Sequence, residues 1–279
     1  MCEFCLKHGE GKKWYLRAEN FATDMMTDLR VKDTAVKFGT NFNNLMNKSL
    51  KAADFVNRMP WFLKEFAFEI HEMWQKQMHY GQVLPIEDVD RIMKMMGSIV
   101  RLPCLCRRYT TGSEGRYCFG ITLDPLKTDY AESMDKTFYG GPDLHGLEYM
   151  KYDEVMPLFA GFEKEGLVHT VWTLKTPFVV GICNCDLPTC TAFQFKSRNL
   201  RVMFRAEYVA VLDSHKCVGC KACLPKCHFD ALQFNELNKK VVLDPVKCYG
   251  CGICRPVCPK GAIELIDRRD HIDAKDLWY

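Results

Sequence analysis

The sequence predicts an α+β protein built from three successive regions and a short tail. Apolar residues recur every three or four positions through much of residues 1–100, which predicts a mainly helical N-terminal region. A helical pattern that turns into an alternating strand pattern predicts an α+β middle domain over residues 101–207. A cysteine spacing that occurs twice predicts a C-terminal pseudo-repeat over residues 208–266, followed by a charged tail over residues 267–279.

The N-terminal region contains two strongly periodic stretches. The first covers residues 53–81 (ADFVNRMPWFLKEFAFEIHEMWQKQMHYG), where Pro60 is expected to break or restart the helix and Gly81 to end it. The second covers residues 86–100 (IEDVDRIMKMMGSIV) and places most of its apolar side chains on one helix face. We expect these stripes of methionine and aromatic side chains to form core.

The middle domain begins with a polar loop that holds cysteines (RLPCLCRRYTTGSEGRYCFG) and continues with DEVMPLFAGFEKEGLVHTVWTL. In the second stretch Asp153 is expected to cap a helix, Gly166 to end it, and residues 167–174 to form a strand. A helix that ends in glycine and turns into a strand resembles the end of a winged-helix unit. This resemblance implies a winged-helix-like element in the middle domain.

Composition narrows the class of protein. The chain has 279 residues, of which 48% are hydrophobic and 26% charged, as in an ordinary globular protein. A net charge of +3 is too small to indicate nucleic acid or a membrane surface as a partner. The first residues lack the pattern of a secretory signal, and no window approaches the ~18 apolar residues of a membrane span. We therefore expect a cytoplasmic protein without a membrane span.

Sixteen cysteines are the unusual feature of the composition. Because nothing predicts export of the chain, its thiols are expected to stay reduced and to be available for metal binding. The spacings are those of metal ligands rather than of a disulfide framework. The sequence therefore predicts a metal-binding protein, with an anaerobic or low-oxygen setting as the expected context.

The strongest motif lies in residues 211–265, where VLDSHKCVGCKACLPKCHFDAL aligns with VLDPVKCYGCGICRPVCPKGAI at a constant offset of 31. Each half carries C-x2-C-x2-C-x3-C. In this spacing three thiolates on a tight loop reach one [4Fe–4S] cubane, and the fourth reaches the cubane of the other half. The expected ligands are Cys217, Cys220, Cys223 and Cys258 for the first cluster, and Cys248, Cys251, Cys254 and Cys227 for the second.

With these eight cysteines, residues 208–266 resemble a bacterial-type 2[4Fe–4S] ferredoxin domain. The resemblance implies two [4Fe–4S] clusters at the low end of the potential range, which spans about −700 to +450 mV. His228 stands where the first repeat of such domains usually has proline, whereas the second repeat keeps Pro259. Zinc sites use C-x2-C pairs separated by longer stretches, so the spacing disfavours zinc in this region.

Six further cysteines lie in the middle domain and include two C-x-C pairs, in PCLCR and GICNC. A C-x-C pair can direct both thiolates to one side, because residues two apart in a strand share a face. We expect a third metal site that uses four of these thiols, with a [4Fe–4S] cluster preferred over a zinc ion. Packing as small hydrophobic side chains stays open. The candidates are Cys104, Cys106, Cys118, Cys183, Cys185 and Cys190.

The order of PCLCR, a later cysteine, GLVH, ICNC and the ferredoxin pair resembles a family of uncharacterised multi-cluster iron–sulfur proteins. The resemblance covers roughly Leu102 to Ile266 and implies further clusters in the middle domain. Other members carry a denser cysteine run after ICNC, whereas here Asp186 follows directly. Cys2 and Cys5 are weaker candidates, which either help to build a further site, such as a fourth cluster, or stay unliganded.

Electron transfer is the function that these motifs predict best. A cubane held by four cysteines has no open iron and moves single electrons. We expect a carrier or a subunit of a larger oxidoreductase, without catalysis of its own and with redox proteins as partners. One alternative is an enzyme whose substrate binds at an open iron in the middle domain. Another is a redox-sensing DNA-binding regulator, which the small net charge disfavours.

Overall fold

A mixed seven-stranded sheet runs through the described part of the chain. The computed structural model describes residues 13–21, 37–113, 115–123, 147–174 and 178–278. In chain order the strands of this sheet are β1 (Gly81–Leu84), β2 (Ser98–Leu102), β3 (Cys118–Thr122), β4 (Glu148–Met150), β5 (Val168–Thr173), β6 (Val179–Cys185) and β7 (Met203–Phe204). Their spatial order is β4-β2-β3-β6-β5-β1-β7, with antiparallel neighbours except for the parallel pair β1 and β7.

The α-helices that bear on the sites connect or cover these strands. They are α1 (Phe42–Asn57), α2 (Trp61–Met78), α3 (Ile86–Met95), α4 (Leu105–Thr111), α5 (Tyr152–Glu165) and α6 (Thr191–Lys196). Short 3-10 turns lie at Trp14–Leu16, Ala18–Phe21, Leu224–Lys226 and Arg268–Asp270. Together, helices and a mixed sheet confirm the predicted α+β class, while the winged-helix resemblance stays a prediction.

The ends of the helices follow local chemistry in most places. Pro60 separates α1 from α2, because proline has no N–H to donate into a continuing helix. Gly166 ends α5 in the left-handed conformation with φ of 94°. At the other end, Lys151 rather than Asp153 is the capping residue, and its backbone N–H donates to the Glu154 carboxylate at 2.7 Å. The predicted cap at Asp153 is therefore wrong by two residues.

The second helix of the N-terminal region is shorter than expected. We predicted a helix over residues 86–100, but α3 ends at Met95 and β2 begins at Ser98. Gly97 interrupts the helix, and the β-branched pair that follows it suits a strand that β3 and β4 flank on both sides. Residues on both sides of the expected boundary at residue 100 therefore share one sheet.

Each face of the sheet carries a hydrophobic core. On one face, α3 and α5 contribute Val89 and Phe159, which belong to a cluster with Phe119 and Ile182 of the sheet. The other cluster joins Phe42 of α1, Phe68 of α2 and Phe193 of α6 to Trp172 and to the cysteines at the end of β6. The second face of the sheet is therefore the face that presents thiols.

The C-terminal domain is pseudo-symmetric and contains two antiparallel strand pairs. Strands β8 (Tyr208–Leu212) and β11 (Ile263–Asp267) form one antiparallel pair, and β9 (Leu232–Asn235) and β10 (Lys240–Leu243) form the other. Each half of the sequence repeat thus runs from a strand through a cysteine loop into a strand. A third core cluster, which includes Val209, Val241 and Ile263, packs around several of the eight cysteines.

Polar contacts fix this domain against the larger sheet and its helices. Arg255 makes a two-point ion pair with Glu87 of α3, at 2.6 and 2.8 Å. The His228 ring nitrogen lies 2.7 Å from the carbonyl oxygen of Gly166, at the end of α5. The histidine that replaces the usual proline of the first repeat therefore joins the two domains. In the described residues, no helix has the length and apolar character needed to cross a membrane.

Glu163 at the end of α5 gives the fold a pH dependence. Burial raises the pKa of its carboxyl group to about 7, and Oε1 has no hydrogen-bond partner among the described residues. Between its ordinary value of 4.5 and about 7, the unfolded chain releases the proton while the folded chain keeps it, so stability falls as pH rises through this window. Above about pH 7, the full free-energy cost of burying the ionised Glu163 carboxylate is present.

We therefore expect Glu163→Gln to raise the melting temperature at about pH 8 and to change it little near pH 5. The matched control is Glu165→Gln, because Glu165 lies exposed at the same helix end. Thermal unfolding of anaerobically purified protein at both pH values measures the effect. An equal gain at both pH values would show that the carboxyl charge is not responsible.

Candidate metal centres

The structure brings the first predicted quartet of thiols together. Cys217, Cys220 and Cys223 follow β8, and Cys258 comes from the second loop. All four line one small cavity of about 20 Å³, whose other walls are mainly apolar. Cys220 is the exposed member, so this edge of the candidate cluster faces solvent. Ligation of iron by these four residues stays a prediction, and their placement agrees with it.

The second predicted quartet lies deeper. Cys248, Cys251 and Cys254 are buried, and burial is the largest cause of their raised pKa values. The nearby Cys227 thiol raises the pKa values of all three further. In one quartet as in the other, three residues of one repeat meet the fourth cysteine of the other repeat. This exchange places the fourth cysteine of each loop next to the other loop, as the spacing requires.

Backbone N–H groups point at the sulfur atoms. Cys248 Sγ accepts from the N–H groups of Ala210 and Gly250, both at 3.4 Å. Cys227 Sγ accepts from Ala231 and Cys258 Sγ from Ala262, both at 3.3 Å. Such donors stabilise thiolate charge, and equivalent positions of the two repeats use them in the same way. The loops therefore fit thiolate ligands rather than neutral thiols.

Without metal, the same burial opposes ionisation. Burial raises the pKa of the Cys223 thiol to about 11 and that of the Cys254 thiol to about 12. These thiols are therefore neutral at physiological pH until a metal displaces their protons. Cluster binding and folding of the two loops are expected to be coupled for this reason.

Two buried arginines beside the second quartet were missed by the sequence analysis. Arg205 donates to the carbonyl oxygen of Cys248 at 3.0 Å, and Arg268 donates to the same oxygen at 3.1 Å. Arg268 is fully buried, and burial followed by repulsion from Arg205 lowers its pKa to about 10. An isolated arginine within apolar sequence (LRVMFRAEYV) is the signal that could have pointed to Arg205. Positive charge at this position compensates the negative charge of a thiolate-held cluster.

The six cysteines of the middle domain also come together, although they lie in four separate parts of the sequence. Thiol–thiol interactions link them in the order Cys183, Cys118, Cys104, Cys106, Cys190, Cys185. All six lie on the wall of one cavity of about 580 Å³. We call this arrangement the thiol arc. It contains two more sulfur donors than one cubane needs.

Strand register and helix starts build the thiol arc. Cys118 of β3 lies directly opposite Cys183 of β6, and Cys185 shares a face with Cys183 because it is two residues further along the strand. Cys104 and Cys190 immediately precede α4 and α6, where backbone N–H groups have no partner within the helix. Neither side chain makes a capping hydrogen bond, so the helix starts position these two thiols without favouring their ionisation.

Asp186, the residue that departs from the resembled family, joins the two loops of the arc. Its carboxylate accepts from the Arg107 guanidinium at 2.9 Å and from the Thr189 N–H at 3.1 Å. The backbone carbonyl of Asp186 also accepts from the N–H of Cys190 at 3.1 Å. Arg107 further stacks on the ring of Tyr117. Asp186 thus holds Cys190 in position and neutralises the nearest arginine.

Cys106 is the thiol of the arc that ionises first. Hydrogen bonds from Cys104 and Cys190 hold its pKa well below the usual range of a cysteine, and the Thr191 hydroxyl lies 3.0 Å from its sulfur. Hydrogen bonding with Cys106 and Cys118 raises the pKa of Cys104 in turn. A soft thiolate beside several further thiols is a donor set that iron–sulfur clusters and zinc prefer.

Within the described residues, no group of three or more His, Cys, Asp or Glu side chains is arranged around a single metal ion. This applies to the ferredoxin-type quartets as well as to the thiol arc. The choice between a cluster and a zinc ion in the thiol arc stays a prediction. Cys2 and Cys5 lie outside the described residues.

These features define the class of the C-terminal domain, which carries two interleaved cysteine quartets between two antiparallel strand pairs. Residues 216–262 match the 4Fe-4S dicluster domain family. The match confirms iron–sulfur binding and a ferredoxin-type domain, and it supports electron transfer as the general function. It covers only the C-terminal region, so membership of the whole chain in the resembled multi-cluster family stays a prediction. No curated protein matches the chain.

Proposed function

We propose that the protein is a multi-centre electron carrier or oxidoreductase subunit in the cytoplasm, passing low-potential electrons to or within a larger complex. The observation that carries this proposal is the pair of interleaved thiol quartets within a dicluster domain. Centres held by four cysteines exchange single electrons and leave no iron open for bond chemistry. The protein therefore needs no catalytic residues of its own in this function.

An aromatic bridge supports a route from the second quartet to the thiol arc. The rings of Phe229 and Tyr249 stack with their centroids 4.1 Å apart. Phe229 is two residues after Cys227, and Tyr249 directly follows Cys248. Phe193, in the helix that follows Cys190, lies 5.4 Å from Phe229. This aromatic bridge lies between the thiol arc and the second quartet. A third cluster in the arc would therefore extend the electron path beyond the second cluster.

The solvent-facing edge of the first quartet supports electron uptake there. Cys220 is exposed, and the surrounding loops carry several lysines. Lys216, Lys221 and Lys239 form ion pairs at the surface, which are weak and can be exchanged for contacts to a partner. An acidic redox protein is the partner that this edge suits best, with electrons passing inward from the first quartet to the second.

A second surface supports the proposal that the chain is a subunit. The outer face of α2 carries large apolar side chains that are 46–76% exposed, so the expectation that the stripe in this stretch forms core is wrong for them. A contiguous patch of this kind is typical of an interface. We propose that another subunit of the oxidoreductase covers it. The patch consists of Trp61, Phe62, Leu63, Phe66, Ile70, Met73 and Trp74.

Anaerobic iron and acid-labile sulfide content, combined with an EPR-monitored redox titration, tests the proposed function. We expect about 12 irons per chain, four for each of three clusters, and reduction in one-electron steps. About eight irons would leave a ferredoxin with a large docking domain and would remove the third centre. Clusters that dithionite cannot reduce would contradict low-potential electron transfer.

The thiol arc and its cavity favour one second candidate, an enzyme with an open iron in the middle domain. Six thiols allow a cluster with an incomplete set of cysteines, and the cavity of about 580 Å³ could admit a substrate beside it. In that case an inhibitor or substrate must change the EPR signal of the third cluster. A signal that no small molecule perturbs would count against this candidate.

The buried arginines make a prediction about potentials. We expect Arg205→Met to lower the potential of the second cluster, because removal of a buried cation disfavours the added electron. An interaction of roughly 1 kcal/mol corresponds to about 40–60 mV for a one-electron couple. Arg198→Met is the control, since Arg198 pairs with Asp54 on α1 instead. Equal potentials in Arg205→Met and the wild type would contradict this role for Arg205.

A further inference from the structure

The cavity above the thiol arc has the size of a small-molecule site. Its volume of about 580 Å³ lies within the range of about 300–1,000 Å³ that such sites occupy. A cluster held by the arc takes up only the part nearest the thiols. The rest lies against α1 and α2, where Phe42, Met46, Trp74 and Met78 form much of the wall.

The lining restricts the chemistry of a ligand. It is mainly apolar and aromatic, with Trp172 and Phe195 on the sheet side. Two cations also line the cavity: Asp186 neutralises the charge of Arg107 at 2.9 Å, and Lys37 is exposed to solvent. An uncharged, flat molecule is therefore favoured over an anion. Leu45 lines the cavity and is 36% exposed, so a ligand can enter beside it.

A buried polar group in the lining is available to a ligand. Nδ1 of His71 is buried and has no hydrogen-bond partner among the described residues. His79, the other histidine of the lining, is already bonded to the carbonyl oxygen of Thr173 and stacks on Trp172. A buried imidazole nitrogen without a partner costs free energy, which a ligand oxygen can recover.

We propose that this cavity binds an uncharged aromatic electron acceptor of the quinone class, an inference that rests on the proposed electron-transfer function. A cluster held by the thiol arc would supply electrons one at a time, and a quinone accepts them singly. Two electrons and two protons convert its two carbonyl groups to hydroxyl groups. The electrons are withdrawn from an external low-potential redox protein, which is oxidised, and the protons come from water. His71 donates a hydrogen bond to one quinone oxygen.

The proposed site can supply what a quinone needs for its reduction. Reduction of a quinone requires only electrons and protons, so it needs no open iron. A nicotinamide would instead take up a hydride, and the sequence contains no G-x-G-x-x-G loop to hold its phosphates. The quinone class therefore agrees with one-electron centres, an apolar wall and a single unpartnered imidazole.

Binding of menadione to the oxidised, cluster-loaded protein tests the proposal without relying on turnover. Equilibrium dialysis under anaerobic conditions gives the dissociation constant. Ser49→Phe places a ring into the cavity and is expected to weaken binding at least about tenfold. His71→Leu is expected to weaken it about fivefold, the value of one hydrogen bond. Asn44→Phe adds the same ring on the exposed side of α1 and should bind as the wild type does.

The outcomes separate this inference from the electron-transfer function. Each variant is first checked for wild-type iron content and circular dichroism, so that misfolding is recognised. Saturable binding that Ser49→Phe weakens and Asn44→Phe leaves unchanged supports the proposal. If the wild type is reduced by dithionite yet shows no saturable menadione binding, the carrier function stands and the quinone site is wrong. Binding that Ser49→Phe leaves unchanged would place menadione elsewhere and would also overturn the proposal.

Discussion

The triple substitution Cys104→Ser, Cys106→Ser, Cys190→Ser is expected to lower the iron content of anaerobically purified protein from about 12 to about eight per chain. It leaves three of the six thiols of the arc, one fewer than a cubane needs. It removes the centre of the thiol arc, where Cys106 is the thiol most prone to ionise. Serine keeps the size of each side chain but is a poor ligand for iron in a cluster. The EPR signals of the two ferredoxin-type clusters should persist, because their cysteines lie in the C-terminal domain.

Two controls sharpen this result. Cys2→Ser, Cys5→Ser should leave about 12 irons per chain if the terminal cysteines bind no cluster. A drop to about eight would show that they complete a site. If the wild type itself holds about eight irons and the triple substitution changes nothing, the thiol arc binds no cluster. Zinc analysis of the same samples would then decide between a zinc ion and free thiols.

We expect Gly250→Ala to abolish binding of the second cluster, whereas Gly261→Ala should be tolerated. Both glycines have positive φ, 72° and 55°, so each substitution carries the left-handed strain of about 1–2 kcal/mol. At Gly250, a Cβ would lie only 1.9 Å from the carbonyl oxygen of Tyr208. Backbone of β8 must move to admit it, which adds an overpacking cost of about 1–3 kcal/mol.

The matched glycine isolates the effect of the close contact. A Cβ at Gly261 meets no atom within 4 Å, so Gly261→Ala tests the strain alone. Iron content and thermal stability of the two variants measure the difference. If both variants lose the same amount of iron, the strained backbone conformation and not the close contact causes the loss. Full iron content in Gly250→Ala would show that the loop adapts without disturbing Cys248 and Cys251.

Local patterns in the sequence predicted the dicluster domain well. The eight cysteines lie within some forty residues, and the cubane itself fixes their spacing, so that little depends on the rest of the fold. The break at Pro60 and the end of α5 at Gly166 were also predictable, because each depends on the backbone chemistry of one residue. The strand Ser98–Leu102 was not, since neighbouring strands decide its conformation.

The candidate third site could be predicted only as a set of six cysteines. The sequence alone identified the residue types and the two C-x-C pairs, and hence the metal chemistry. The tertiary structure decided that Cys118 faces Cys183 across two strands, that Asp186 holds Cys190 in place, and that α1 and α2 leave a cavity above them. Spacing encodes ligands that share one loop, whereas ligands from distant segments meet only through strand register and packing.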